Sequence, residues 1–214
     1  MISIKCFVFN AFQENTYLIY DETRACAVVD PGCYEAFERK EIDDFIADSN
    51  LSVKYILNTH CHIDHVLGNK YMKDKYQAPL LIPKPDLATF RSVKVYAPVY
   101  GFNKYEETEP DNYIEEGQKL VIGNSTLEVM FVPGHAPGHM AFYNKAEKIC
   151  LAGDVLFRGS IGRTDLPGGD YDTLIDSIRI KMFNLSDDTT VYPGHGPETT
   201  IGFEKETNPY CSII

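Results

Sequence analysis

Tryptophan is absent from the 214 residues, so 14 tyrosines and 12 phenylalanines must supply the large core side chains. Long apolar runs are missing as well. No stretch reaches the roughly 18 apolar residues that a membrane-spanning helix needs. Residues 1–15 lack a basic segment, an apolar stretch of signal length and a small-residue cleavage site. No export signal is read there, and a cytoplasmic location is expected. Cations are scarce: 20 Lys and Arg face 31 Asp and Glu, a formal charge of -11. Such a surface repels phosphate backbones and anionic lipid, so neither a nucleic-acid nor a membrane partner is expected. The six cysteines, Cys6, Cys26, Cys33, Cys61, Cys150 and Cys211, include no Cys-x-x-Cys pair. A zinc ribbon and a thioredoxin-type site are therefore excluded, and reduced thiols are expected.

What remains is core-forming material: 44% hydrophobic and 24% charged residues, with no repeat, low-complexity tract or flexible linker. One domain over residues 1–214 is expected. Residues 2–9, 15–21 and 25–30 read as short strands ending at Asp30-Pro31-Gly32. A helix is expected over 34–48, with Phe37, Ile42, Phe45 and Ile46 on its apolar face. Next come a strand at 53–58, a helix over about 65–76, a strand at 79–82 and a short helix near 85–91. Residues 92–113 carry Tyr96, Tyr100, Phe102 and Tyr105 without clear periodicity and read as a loop. The second half repeats the layout. Strands at 119–122 and 125–132 flank Gly123-Asn124, and strands at 140–144 and 148–152 flank Asn144-Lys145. A Gly-rich loop at 159–169, a helix near 171–184, a strand at 189–192 and a short final helix follow. Two β-layers with helices outside, a four-layer αββα sandwich of the α/β class, fit this order.

Three of the six histidines crowd into Thr59-His60-Cys61-His62-Ile63-Asp64-His65. Three imidazoles and a carboxylate are poor core material but good divalent-metal donors. His60 and His62, two apart on extended chain, point to one side, and Cys61 between them points away. Asp64 and His65 fall where a helix begins and can address a second spot. His135, Asp154 and His195 each follow a strand, in Val132-Pro133-Gly134-His135, Ala152-Gly153-Asp154 and Tyr192-Pro193-Gly194-His195. Donors at adjacent strand ends converge on one edge of a sandwich. His139, in Pro137-Gly138-His139, reads as a residue that holds the loop or a ligand in place.

The set Thr59–His65, Gly134–His139, Gly153-Asp154 and Gly194-His195-Gly196 resembles the metallo-β-lactamase superfamily. It is most similar to the glyoxalase II-like thioester hydrolases of the hydroxyacylglutathione hydrolase type. The resemblance runs from about Asn15 to about Pro209. It implies an αββα sandwich. It implies that His60, His62 and His135 hold one metal, that Asp64, His65 and His195 hold a second, and that Asp154 bridges them. Two divalent ions follow, zinc by first expectation, with iron or manganese also suited to such donors. Two departures stand out. Only 19 residues follow His195, so the C-terminal helical region that helps glyoxalase II hold glutathione is missing. The Lys and Tyr that contact glutathione are not recognisable after Asp154, where Gly162–Gly169 instead resembles short bacterial relatives.

The function this implies is hydrolysis of a small-molecule thioester, S-D-lactoylglutathione or a related acyl thioester, by a hydroxide shared between metals. Asp64 and Asp154 are the catalytic carboxylates, Asp64 orienting the hydroxide and Asp154 bridging. A thiolate leaves without much acid assistance because thiol pKa values are low, about 8.5. A different class, a mononuclear-iron persulfide dioxygenase, would need only His60, His135 and Asp154. Lactone hydrolysis is a third reading. Arg158, Arg163 and Lys104 are the cations that could meet an anionic substrate, although Arg163 could equally pair with Asp165. The aromatic run from Tyr96 to Tyr105 suits either a substrate mouth or ordinary packing.

Overall fold

The computed structural model describes residues 1–213. Strands β1 (Ser3–Phe9), β2 (Glu14–Tyr20) and β3 (Ala25–Val29) form an antiparallel meander. Helix α1 (Ala36–Asp48) then crosses over, so that β4 (Ser52–Leu57) joins β3 in parallel. Helices α2 (Ile63–Val66) and α3 (Asn69–Tyr76) precede β5 (Leu80–Pro83), and α4 (Leu87–Tyr96) precedes β6 (Asn112–Ile114). The first sheet therefore runs β1-β2-β3-β4-β5-β6.

The second sheet contains β7 (Lys119–Ile122), β8 (Ser125–Phe131), β9 (Met140–Asn144) and β10 (Ile149–Gly153). A small hairpin, β11 (Leu156–Phe157) and β12 (Ser160–Ile161), sits apart from it. After α5 (Tyr171–Asp176), β13 (Thr190–Pro193) joins β10 in parallel. Strand β14 (Thr199–Thr200) closes the edge before α6 (Ile201–Thr207). The order is β14-β13-β10-β9-β8-β7.

The central strands of both sheets are buried on two faces, and strand alternation divides the core into three layers. Leu18, Cys26 and Val28 face α1 together with Ile42 and Ile46. Their neighbours Tyr17, Ile19, Ala27 and Val29 meet Leu127, Val129, Phe142 and Leu151 between the sheets. Cys150 and Val191 face outward onto Leu174, Ile178 and Ile201. This is the αββα sandwich. Among the described residues no helix is long and apolar enough to cross a membrane, and the six cysteines form no disulfide.

Four local expectations need correcting. Phe37 is 70% exposed rather than packed. It lies five residues before Ile42, about 140° round the helix and on the opposite face. The helix expected over 65–76 is split at Gly68. There the chain presses so close that a Cβ would stand 2.6 Å from Cys33 Sγ and 2.7 Å from the Pro31 carbonyl. The helix near 85–91 runs on to Tyr96, because Phe90, Val93 and Ala97 form a buried stripe at helical spacing. Residues 92–113, read as a loop, hold the end of that helix, a 3-10 turn over Ala97–Tyr100 and the short strand β6.

Phe142, fully buried between the sheets, and Phe37 separate packing from mere hydrophobicity. Phe142→Ala should lower the unfolding free energy by about 3–5 kcal/mol. Phe37→Ala should change it by less than about 0.5 kcal/mol. Denaturant titration of the two variants measures the contrast.

Candidate metal centre

Strands β3, β4, β8, β10 and β13 all end at one edge of the sandwich, and the loops beyond them carry the candidate residues. His60, His62 and His135 bring one ligand atom each within 4.8 Å of one another. Asp64, His65 and His195 form a second group on the same criterion. Asp154 lies between the groups. Its Oδ1 is 3.5 Å from His65 Nε2, while its Oδ2 is 3.5 Å from His135 Nε2 and 3.6 Å from His195 Nε2. All seven residues that the sequence singled out thus share one site. Cys61, between two of them, is buried in the outer core layer.

Hydrogen bonds behind the rings decide which nitrogen faces inward. His135 Nδ1 lies 2.8 Å from the Arg163 carbonyl, so it carries the proton and Nε2 keeps its lone pair. The Thr59 hydroxyl donates to Asp30 Oδ2 at 2.6 Å, so it accepts from His60 Nδ1 at 3.1 Å and leaves His60 Nε2 bare. His195 Nδ1 sits 3.2 Å from the Gln13 carbonyl, turning Nε2 toward Asp64 Oδ2 at 3.1 Å. His65 Nδ1 has Asp30 Oδ2 at 3.2 Å and Glu14 Oε1 at 3.9 Å behind it.

The inward atoms are poorly satisfied by protein alone. His62 Nδ1 is 2.8 Å from His135 Nε2, which is 3.3 Å from His60 Nε2. His65 Nε2 and Asp154 Oδ1 are buried without any hydrogen-bond partner. Burial and neighbouring imidazoles hold His60 well below its ordinary pKa and push His62 down to about 4. Burial likewise lowers His135. Burial disfavours charge on His65 too, but Asp64 and Asp154 outweigh it and raise that ring's pKa. The same contest, won by histidine charges, holds the Asp64 and Asp154 carboxyls below the usual range. Neutral imidazoles are the donor state that divalent cations take, and the first group has them. In the second, Asp64 and Asp154 favour the charged form of His65 and His195, a proton that a bound cation would displace.

A model of the metallo-beta-lactamase superfamily matches residues 9–195. The chain belongs to the metallo-beta-lactamase superfamily. Hydroxyacylglutathione hydrolase GloC of Haemophilus influenzae is 37% identical over 213 residues, covering 99% of each chain. Among solved structures, BLEG-1 B3 metallo-beta-lactamase superposes with a TM-score of 0.86 at 31% identity, covering 99% of this chain and 100% of that one. TTHA1623 in a di-iron-bound form also gives 0.86, at 33% identity, covering 96% of this chain and 99% of its own. Superfamily membership identifies the chain as a metallo-hydrolase whose His and Asp groups suit divalent metals.

Several residues stand behind this superfamily site. The sequence pointed to Gly194 and to His139 as a residue that holds the loop or a ligand, but not to Asn15, Asp30, Glu14 or Asp86. Asn15 ties β2 to the His195 loop through Nδ2 to the Pro193 and Gly196 carbonyls, at 3.0 and 2.8 Å. Gly194 in that loop leaves no room for a side chain, since a Cβ would fall 2.1 Å from Asp154 Oδ1. His139 stacks on His60 at 4.6 Å, and its Nε2 accepts the Asp154 N–H at 3.0 Å. Asp30 was read only as part of a turn. It follows a strand, as the other site residues do, and that was its available signal. Glu14, fully buried, has no comparable signal.

Asp86 joins the two first-group loops. Its Oδ2 accepts the Cys61 N–H at 3.0 Å and its Oδ1 the Gly138 N–H at 2.6 Å. Burial, partly offset by these two donors, pushes its pKa up to about 6. In Asp86→Asn, an amide NH2 would face one of the two N–H groups and leave it unpaired. Stability should fall by about 1–3 kcal/mol, measured by denaturant unfolding against Asp86→Glu. An unchanged midpoint in both variants would show that the two bonds carry no load.

Proposed function

We propose that this chain is a dinuclear metal-dependent hydrolase of small-molecule thioesters. His60, His62 and His135 hold one metal. Asp64, His65 and His195 hold the other, and Asp154 reaches both. The observation that carries this reading is the position of Asp154, whose carboxylate faces His135 of one group and His65 and His195 of the other at 3.5–3.6 Å. A mononuclear iron site would have no use for the complete second group. When bound, zinc or iron supplies a Lewis acid that ionises water near neutral pH and polarises a carbonyl.

The chain's own residues orient and exclude. The Arg163 and Gln13 carbonyls fix the tautomers of His135 and His195. His139 anchors the Asp154 backbone, and Asp64 Oδ2 faces His195 Nε2 at 3.1 Å within the second group. No general acid is required, because a thiolate is a good leaving group. That favours thioesters over amides. The name of the Haemophilus influenzae relative supports a glutathione thioester, and the di-iron structure supports iron in such a site.

The purified chain should bind two metal equivalents by elemental analysis and hydrolyse S-D-lactoylglutathione without oxygen uptake. Asp154→Ala should fold, lose at least one equivalent and lose turnover by about a thousandfold or more. One iron equivalent with oxygen consumption would replace the hydrolase reading by a dioxygenase one. Two retained metals with full activity in Asp154→Ala would remove Asp154 as the bridge.

A further inference from the structure

The turn over residues 10–13 is built with unusual care for a surface loop. Asn10 and Gln13 both adopt positive φ, 51° and 57°, which few non-glycine residues do without support. The Asn10 N–H donates to Glu38 Oε1 at 2.6 Å. Its side-chain amide donates to the Gly32 and Asp64 carbonyls at 3.1 and 3.0 Å, and its Oδ1 accepts the Phe12 N–H at 3.0 Å. Gln13 in turn gives its carbonyl to His195. The turn is thus bolted to Asp64 on one side and to His195 on the other.

What this turn presents is Phe12, a large ring left 41% exposed. Phe12 lies 5.8 Å from Tyr100 and 5.9 Å from Phe102. Of the aromatic run read in the sequence, Phe102 is buried and Tyr96 and Tyr105 pack on the core, while Tyr100 is 55% exposed beside Phe12. Across His195, Phe157 sets its ring edge-on at 6.3 Å. His195 thus has the Phe157 ring against it and, through the Gln13 carbonyl, the turn that carries the exposed Phe12.

Charge points the same way. Arg163 is held by both oxygens of Asp165, at 2.7 Å each. Arg158 lies over the Phe203 ring, its guanidinium carbon 5.5 Å from the centroid. Of the three cations that the sequence offered to an anionic substrate, two are engaged elsewhere and Lys104 remains.

We propose that Phe12, with Tyr100, is a specificity-determining platform that receives an uncharged, apolar or aromatic thiol portion of the substrate. This rests on the thioesterase reading above and narrows its substrate class. A thioester of an alkyl thiol that carries an aromatic ring is a better substrate than the glutathione thioester with the same acyl group.

The test uses the metal-loaded full chain and acetyl thioesters of phenylmethanethiol and glutathione. The wild type should show the higher kcat/KM on the phenylmethanethiol ester. Phe12→Ala should raise the Michaelis constant for that ester by about tenfold. Its kcat, and its Michaelis constant for the glutathione ester, should stay within about twofold. Phe12→Trp should restore the wild-type constant. Because the chain contains no other tryptophan, its emission should also change on addition of an unreactive thioether, benzyl methyl sulfide. Calorimetry with the same thioether should show about tenfold weaker binding to Phe12→Ala.

A preference for the glutathione ester, or an unchanged constant in Phe12→Ala, would overturn the platform. So would dissociation of a dimer by Phe12→Ala, which would assign the rings to a second copy of the chain. Failure to hydrolyse either ester, with Phe12-dependent thioether binding intact, would instead overturn the thioesterase reading and leave the platform standing.

Discussion

Lone pairs that converge with no proton between them repel, and this sandwich edge gathers several. His60 Nε2 and His135 Nε2 stand 3.3 Å apart, each committed by a hydrogen bond on the far side of its ring to present an unprotonated nitrogen. A protein can tolerate this only if a cation lies among the donors or if the scaffold holds them there against their own preference. The scaffold does hold them. The loops that bear the donors follow strands locked in two six-stranded sheets, and the rings cannot swing away without breaking their backing bonds. The proposed chemistry follows from that imposed convergence.

The backing bonds also explain why the site spans both halves of the chain. Asp30 lies at the end of β3, yet it fixes Thr59 after β4 and stands behind His65. Asn15, at the start of β2, grips the His195 loop about 180 residues later, through two of that loop's carbonyls. Asp86, just before α4, clamps the segment after β4 to the loop after β8. Each is a buried polar side chain satisfied by backbone groups from elsewhere in the sequence. Losing one leaves both a misplaced loop and an unpaired donor or acceptor.

Legibility in the sequence followed the range of the interactions. Residues at i and i+2 on a strand announce a shared side, so His60 and His62 were readable as a pair, and Gly-braced residues after strands announced His135, Asp154 and His195. Core strands were visible from their β-branched and aromatic content. Asp86 and Glu14 were not visible, because a buried carboxylate between polar and charged neighbours looks the same in sequence as a solvated one. Phe37 was misplaced for the converse reason. Its hydrophobicity suggested burial, while its angular position on α1 opposes it. The break at Gly68 came from a tertiary contact, the press of Cys33 and Pro31, that no local propensity encodes.

Two rigid devices of different origin lie beside His195. One is the turn over residues 10–13. The other is the β11–β12 hairpin that carries Phe157, and its anchor is Glu204 on α6, fully buried. Glu204 accepts the Gly159 N–H at 3.0 Å, the Thr199 hydroxyl at 2.5 Å and the Asn208 amide at 2.7 Å, while Asn208 also donates to the Ser160 carbonyl. A buried carboxylate with three donors resists displacement, so the short C-terminal helix fixes the hairpin beside His195. Hairpin and turn both use their hydrogen bonds to hold segments that carry an aromatic ring, Phe157 and Phe12, beside His195. On a surface of net charge -11, rings held this way would, on the proposal above, select by shape and polarity where cations would have selected by charge.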